Sequence, residues 1–259
     1  MTKKIILAAF VAAMAFTSCH KDPTPTPTPD PTPTPAPETV TRLASEKTVK
    51  AVGAMTMNMY RYYTWENGIM THQDDTLITP LIDPTIYHNN MVYENGNLTK
   101  IEEESGLWEY TFTYENGLLK NFLNIFHNDT SAWGEVVAYT EDGYVREIMA
   151  YDNYKTTRWS LIWANGDATE VKEEILEPEE LVATNVYTYT YDDKPNVYTG
   201  NPLAFAMNDG SGDMVARRMS KHNQILEGYV YNYDENGLLI SAVSENDSTV
   251  YQYIEQTIE

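Results

Sequence analysis

Acidic side chains are the residues of this sequence with the most obvious capacity for chemistry. The chain holds 38 Asp and Glu residues, and several adjoin one another, as in Glu102–Glu104, Glu173–Glu174, Glu179–Glu180 and Asp192–Asp193. Hydrolysis of a glycosidic bond needs two carboxyl groups that face each other about 5 to 10 Å apart. In so acidic a chain, neighbouring carboxylates arise without a functional cause. We interpret these runs as solvated strand faces and loops, and we predict no catalytic residue and no enzyme activity.

The spacing of the candidate metal-ligating residues does not indicate a metal site. The histidines are His20, His72, His88, His127 and His222, and no two stand at the spacing of a zinc site. The segment Asp209–Asp213 carries side-chain oxygens at its first, third and fifth positions, as a calcium loop does. Its sixth and twelfth positions are Met214 and Ser220, so it is not an EF-hand. We therefore predict neither a metal nor another cofactor.

Cys19 is the only cysteine of the chain, and its surroundings predict a covalent modification. Lys3 and Lys4 precede an apolar run of twelve residues, 5 to 16, which is too short to span a bilayer. Small residues then lead to Cys19. This arrangement resembles a bacterial lipoprotein signal, in which the thiol is diacylated and the chain is cut just before the cysteine. We predict a signal peptide over residues 1–18 and a lipidated Cys19.

A proline-rich segment separates Cys19 from the rest of the chain. Proline alternates with Thr, Asp or Ala over residues 23 to 37, a pattern that forbids helix and sheet and favours extended polyproline II. Fifteen such residues span roughly 45 Å at ~3.1 Å per residue. We assign residues 19–39 to the lipidated cysteine and its stalk, and 40–259 to one domain. The charged residues after Cys19 resemble a surface-export signal, which predicts an outer-membrane anchor facing the cell surface; a periplasm-facing anchor is the alternative.

Net charge excludes one class of partner. The chain carries a formal charge of -21, and loss of residues 1–18 with two lysines would bring it to about -23 (15 Lys and Arg against 38 Asp and Glu). A field of this sign repels nucleic acids. We therefore expect contact with a membrane through the lipid anchor, with no nucleic acid as partner, and the sequence leaves the oligomeric state open.

An internal repeat organises residues 40–259. Its copies end in Asn-Gly or Asp-Gly after alternating aromatic and polar residues, with glycines at 68, 96, 117, 143, 166 and 237. These dipeptides favour type I′ hairpin turns, and alternation with period two favours half-buried strands. The chain also holds 20 Tyr against 6 Phe, and Tyr suits such strands. The repeat predicts an all-β fold, a single antiparallel meander of about 14–16 strands. So long a meander should curl into a soluble barrel or flatten into a two-layer shell.

The repeat units resemble tyrosine-aspartate (YD, Rhs-like) repeats. The full layout of signal, stalk, Glu-Asn-Gly hairpins and Tyr191–Asn196 is similar to a family of uncharacterised Bacteroides lipoprotein domains. This resemblance implies a porin-like, many-stranded β-fold in a soluble protein. It implies no activity and no catalytic residue, because its motifs specify structure.

These features predict a non-catalytic cell-surface lipoprotein whose β-domain binds an extracellular glycan or protein. Aromatic rings stack on sugars, and the candidate binding platform consists of Trp65, Trp108, Trp133 and Trp159. Core packing is the competing role for each ring. Two other functions stay open: a structural or adhesin component without a small ligand, and a glycan-acting hydrolase.

Overall fold

The computed structural model describes residues 38–53, 55–152, 155–177, 180–198 and 212–258. The predicted acylation site Cys19, the stalk up to residue 37, positions 209 to 211 and the side chain of Asp213 lie outside the described residues. Within these ranges, the strands are β1 (Glu38–Val52), β2 (Met55–Glu66), β3 (Ile69–Thr79), β4 (Ile82–Glu94), β5 (Asn97–Glu103), β6 (Trp108–Glu115), β7 (Leu118–Phe126), β8 (Asp129–Tyr139), β9 (Val145–Asp152), β10 (Thr156–Ala164), β11 (Asp167–Leu176), β12 (Leu181–Thr188), β13 (Thr190–Pro195), β14 (His222–Ile225), β15 (Val230–Tyr233), β16 (Leu239–Val243) and β17 (Asp247–Ile258). The helix described there, α1 (Gly212–Met219), lies between β13 and β14.

The main sheet contains fifteen antiparallel strands in the order β12 to β1 followed by β17, β16 and β15. Neighbours in the sheet are therefore neighbours in sequence, except where β1 pairs with β17. Strands β13 and β14 form a separate two-stranded sheet. The predicted all-β antiparallel meander is confirmed, as an open shell: in the described residues the ladder ends at β12 and β15. The two-stranded sheet contacts the β15 end of the ladder, since Tyr233 donates to Asp192 of β13 and Tyr231 accepts the amide of Leu226, which follows β14, at 2.8 Å.

Helix α1 shows that the sheet curls. Gly212 lies against Trp159 of β10 and Val171 of β11. Tyr198, whose ring contacts both arginines of α1, donates to Glu46 of β1. Because β10 and β1 stand third and twelfth in the strand order, only a strongly curved sheet brings both toward one helix. The enclosed face carries one continuous hydrophobic core.

Four of the hairpin turns have the predicted geometry. Both central residues take a positive φ at Asn67–Gly68 (48° and 77°), Asn95–Gly96 (51° and 81°), Asn116–Gly117 (53° and 79°) and Asn165–Gly166 (56° and 89°), as type I′ turns require. The type I′ prediction is wrong at residues 142–143 and 236–237, where only the glycine has a positive φ. There a side chain at the start of the turn bonds the backbone: Asp234 Oδ1 accepts the amides of Asn236 and Leu238 at 2.9 and 2.8 Å. Such Asx bonding favours a longer turn with a single left-handed glycine.

A β-bulge follows each of these hairpin turns. The strand register shifts so that the third residue after the glycine is extra; these residues are Thr71, Thr99, Lys120, Arg146, Thr169 and Ile240. Three of them are threonines whose hydroxyl reaches the carbonyl across the ladder, at 3.3 to 3.4 Å. A bulge bends its strand and increases the local twist. The repeat therefore supplies curvature at regular intervals.

Aromatic side chains tie each hairpin to the previous strand. A ring N–H or O–H donates to a backbone carbonyl at 2.6 to 2.9 Å in the pairs Trp65–Leu43, Tyr93–Met70, Tyr114–Leu98, Tyr139–Leu119, Trp163–Val145, Tyr191–Ala168 and Tyr253–Leu239. In all but the first pair, the acceptor is the second residue after a hairpin glycine. Phenylalanine cannot donate this bond. The excess of Tyr over Phe therefore has a structural cause, which composition alone did not reveal.

Replacing Tyr139 by Phe tests these aromatic ties. The substitution removes the bond to the Leu119 carbonyl, which is 2.6 Å long, and keeps the ring. We expect a loss of about 1 to 3 kcal/mol of unfolding free energy, because a buried carbonyl loses its partner. Urea denaturation measures the change. Tyr62→Phe is the control, since its ring is 51% exposed; equal midpoint shifts in the two variants would contradict the proposed role.

Replacing Gly117 by Val tests the geometry of the hairpin turn at residues 116–117. Its φ is +79°, and an added Cβ would meet nothing within 4 Å, so backbone strain is the only expected cost of a side chain. Gly117→Val should destabilise the domain by about 1 to 2 kcal/mol, because β-branched residues resist the left-handed region. Leu118→Val, next to it on an exposed strand position, should shift the denaturation midpoint little. An unchanged midpoint for Gly117→Val would contradict the turn assignment.

Candidate functional site

Two cavities open on the enclosed face of the sheet. One, here called the central cavity, has a volume of about 470 Å³ and lies between α1, the strands β1 and β2, and the strands β15 to β17. The second, the side cavity, has about 390 Å³ and lies along β3, β4 and β6 to β8. Met59 and Arg61 line both. The cavities therefore meet at the middle of β2.

Arg61 is the centre of a buried charged row. The register places it directly opposite Glu46 of β1 on one side and Asp75 of β3 on the other. Its Nη1 donates to Glu46, and its Nε donates to Asp75 Oδ1 at 2.6 Å. Gln73 Nε2 donates to the second oxygen of Asp75 at 2.7 Å. The three charged residues Glu46, Arg61 and Asp75 are all buried.

Each charged group of the row has a partner of opposite charge. Burial by itself lowers the pKa of Arg61, but the carboxylates of Glu46 and Asp75 raise it well above its usual range. Removing one member of a buried ion pair costs several kcal/mol, because the remaining charge stays desolvated. The motifs and spacings of the sequence did not predict this row. The available signal was Arg61 itself, which shares an inward-facing alternation with Tyr63 and Trp65.

Two arginines at the end of α1 form the facing wall of the central cavity. The guanidinium carbons of Arg217 and Arg218 lie 5.6 and 5.2 Å from the ring centroid of Tyr198. Burial lowers the pKa of Arg218. Asn196 fixes the helix end, since its Nδ2 donates to the carbonyls of Arg217 and Ser220 at 2.7 and 2.8 Å. The positions of both arginines are therefore determined by the packed end of the helix.

Tyrosines and polar side chains complete the wall on β15 to β17. Tyr229, Tyr231 and Tyr251 line the central cavity. Tyr229 donates to Asp247 Oδ2 at 2.7 Å, and the hydroxyls of Thr48 and Thr249 lie 3.0 Å apart across the β1–β17 pair. The wall thus combines aromatic rings with hydrogen-bonding groups, as small-molecule pockets commonly do.

The four tryptophans predicted as a binding platform lie in three different environments. Trp65 and Trp159 are buried in the core. Trp108 is half-buried at the side cavity and meets Tyr110 edge-on at 5.2 Å. Trp133 is 45% exposed and stacks on Tyr151 at 3.8 Å. The structure does not bring the four rings together, and binding through any of them stays a prediction.

The acidic run at residues 102–104 lines a further depression, but the pKa of Glu103 is shifted in the wrong direction for a proton donor. Burial would raise the pKa of Glu103, yet hydrogen bonds from Ser105 and the Leu107 amide leave it lowered. A glycosidase acid needs a raised pKa. Lys100 pairs with Glu102 and Glu109, each at 2.7 Å. Within the part of the chain that the structure describes, no three His, Cys, Asp or Glu side chains converge to hold a metal ion.

The fold belongs to a class of many-stranded, curled antiparallel β shells. A solved porin-like protein from Bacteroides uniformis is similar to this chain, with a TM-score of 0.54 and 13% sequence identity over 81% of this chain and 95% of that one. At this identity the likeness shows the fold alone. No protein-family model matches the chain, and no curated protein matches it. Across the described ranges, no helix is long and apolar enough to cross a membrane.

Proposed function

We propose that this protein is a lipid-anchored surface lipoprotein whose β-domain binds an extracellular glycan in the central cavity without catalysing a reaction. The central cavity is the observation that supports this proposal most directly. Its volume of about 470 Å³ falls within the range of pockets that enclose small ligands, and its walls combine tyrosine rings with fixed polar groups. Tyrosine rings stack on sugar faces, and hydroxyl, amide and guanidinium groups bond sugar hydroxyls.

The contacts of the buried carboxylates support binding over hydrolysis. Glu46 is held by Arg61 and by the hydroxyl of Tyr198 at 3.1 Å. Asp75 is held by Arg61 and Gln73. Both oxygens of each carboxylate therefore accept a hydrogen bond from the protein, so neither group is placed to donate a proton to a ligand. The porin-like fold of the Bacteroides uniformis protein agrees with an outer-membrane setting.

Cavity filling tests the binding site. Thr249 lines the central cavity, and its neighbour Val250 is 44% exposed on the opposite face of β17. The full chain, purified in a non-ionic detergent, is applied to an array of neutral and acidic glycans. Thr249→Phe should abolish the binding that the unaltered chain shows, and Val250→Phe should preserve it. Equal binding by the unaltered chain and both variants would show that the glycan binds outside the central cavity. No binding by any of the three proteins would favour a structural or adhesin role.

Cys19→Ala tests the anchor. The acyl chains attach to the thiol, so the variant should leave the membrane fraction or keep residues 1–18. Membrane fractionation with intact-mass measurement distinguishes the two results. A variant that partitions into detergent like the original chain, with the same mature mass, would contradict the lipoprotein assignment.

A further inference from the structure

The central cavity concentrates positive charge in a strongly negative protein. Its described lining contains four cations, Lys50, Arg61, Arg217 and Arg218, and two carboxylates, Glu46 and Asp247. The whole chain has 17 Lys and Arg against 38 Asp and Glu. Positive charge therefore predominates among the described side chains that line this cavity, although negative charge predominates in the whole chain.

The cations differ in depth. Arg61 and Arg218 are buried, Arg217 is half-buried and Lys50 is exposed where β1 approaches its turn to β2. Arg61 already binds Glu46 and Asp75. Arg217 and Arg218 lie against the same Tyr198 ring, so two guanidinium groups converge on one wall. Guanidinium groups bind carboxylates through paired, charge-assisted hydrogen bonds.

We propose that the glycan bound in the central cavity is acidic, and that Arg217 and Arg218 receive its carboxylate. This inference rests on the proposed function and names the ligand class of the same site. The tyrosines of β15 and β17 would contact the sugar ring, and Lys50 would attract the anion at the entrance. The local positive charge also offsets the repulsion that an anionic ligand meets from the rest of the chain.

Matched saccharides test the charge preference. Isothermal titration of the full chain in a non-ionic detergent compares disaccharides that contain glucuronic acid with counterparts that contain glucose. The acidic member should bind at least tenfold more tightly, and added salt should weaken it more than the neutral member. Inorganic phosphate and acetate serve as anions without a sugar ring. Binding of these ions as tight as that of the acidic disaccharide would overturn the saccharide assignment.

Two variants test the proposed roles of Arg217 and Lys50 in binding the acidic sugar. Arg217→Gln should weaken binding of the acidic disaccharide at least tenfold and binding of the neutral one much less. Lys50→Gln, at an exposed position that the fold does not need, should reduce the salt dependence. Arg146→Gln, exposed on β9, is the control and should change neither property. Equal affinity for acidic and neutral sugars, unaltered by Arg217→Gln, overturns the acidic preference but leaves glycan binding in place. No binding of any saccharide, in the titration and on the glycan array, overturns both proposals.

Discussion

Replacing Arg61 by Leu should lower the unfolding free energy by about 3 to 5 kcal/mol. The arginine forms ion pairs with Glu46 and Asp75 at once, and all three residues are buried. Leucine has a comparable apolar stem but leaves two carboxylates in a desolvated site. The domain should therefore unfold at a much lower urea concentration, as measured by circular dichroism at neutral pH.

Two comparisons separate the loss of charge from the loss of packing. Arg146→Leu, at an exposed position of β9, should change stability by less than about 0.5 kcal/mol. Combining Arg61→Leu with Glu46→Gln and Asp75→Asn removes the two unpaired carboxylate charges and should recover part of the lost unfolding free energy. A loss below about 1 kcal/mol for Arg61→Leu alone would mean that the row is solvated.

Raising the pH from 10 to 12 should unfold the domain cooperatively. Burial, with a smaller contribution from Tyr114, raises the pKa of Tyr93 to about 12 and that of Tyr139 to about 12. In the unfolded chain a tyrosine titrates near its ordinary value of about 10. Between these values the unfolded state binds fewer protons than the folded state, so stability is intact below pH 10 and falls as the pH rises.

The share of Tyr93 and Tyr139 in the alkaline transition can be measured, although burial also raises the pKa of other tyrosines such as Tyr63 and Tyr251. Tyr93 and Tyr139 each contribute less than about 1.4 kcal/mol per pH unit, because both rings are only half-buried and solvent screens the charge. Tyrosinate absorbance and far-ultraviolet circular dichroism should change together in the original chain. In Tyr93→Phe combined with Tyr139→Phe, the loss of stability between pH 10 and 12 should be shallower, whatever its starting value. Full tyrosine ionisation near pH 10 with no loss of structure would contradict this account.

The hairpins were predictable because their causes are local. Asn-Gly pairs adopt positive φ at low cost, and alternating aromatic residues favour a half-buried strand. These preferences act within about ten residues, so the repeat determined the order of strands and their antiparallel pairing. The turn at Asp234 differs because its side chain bonds the backbone, a preference that a dipeptide rule overlooks.

The curvature and the cavity depended on tertiary structure. Each bulge shifts which residues point inward, so strand alternation alone could not place Gln73 and Asp75 beside Arg61. Residues of β1 and α1 meet only because the sheet curls, and the charged wall of the central cavity depends on that meeting. The sequence by itself determined the strands, the turns and the predicted anchor at Cys19. Tertiary structure decided the site, because its members are distant in sequence and only the accumulated bending of many hairpins brings them together.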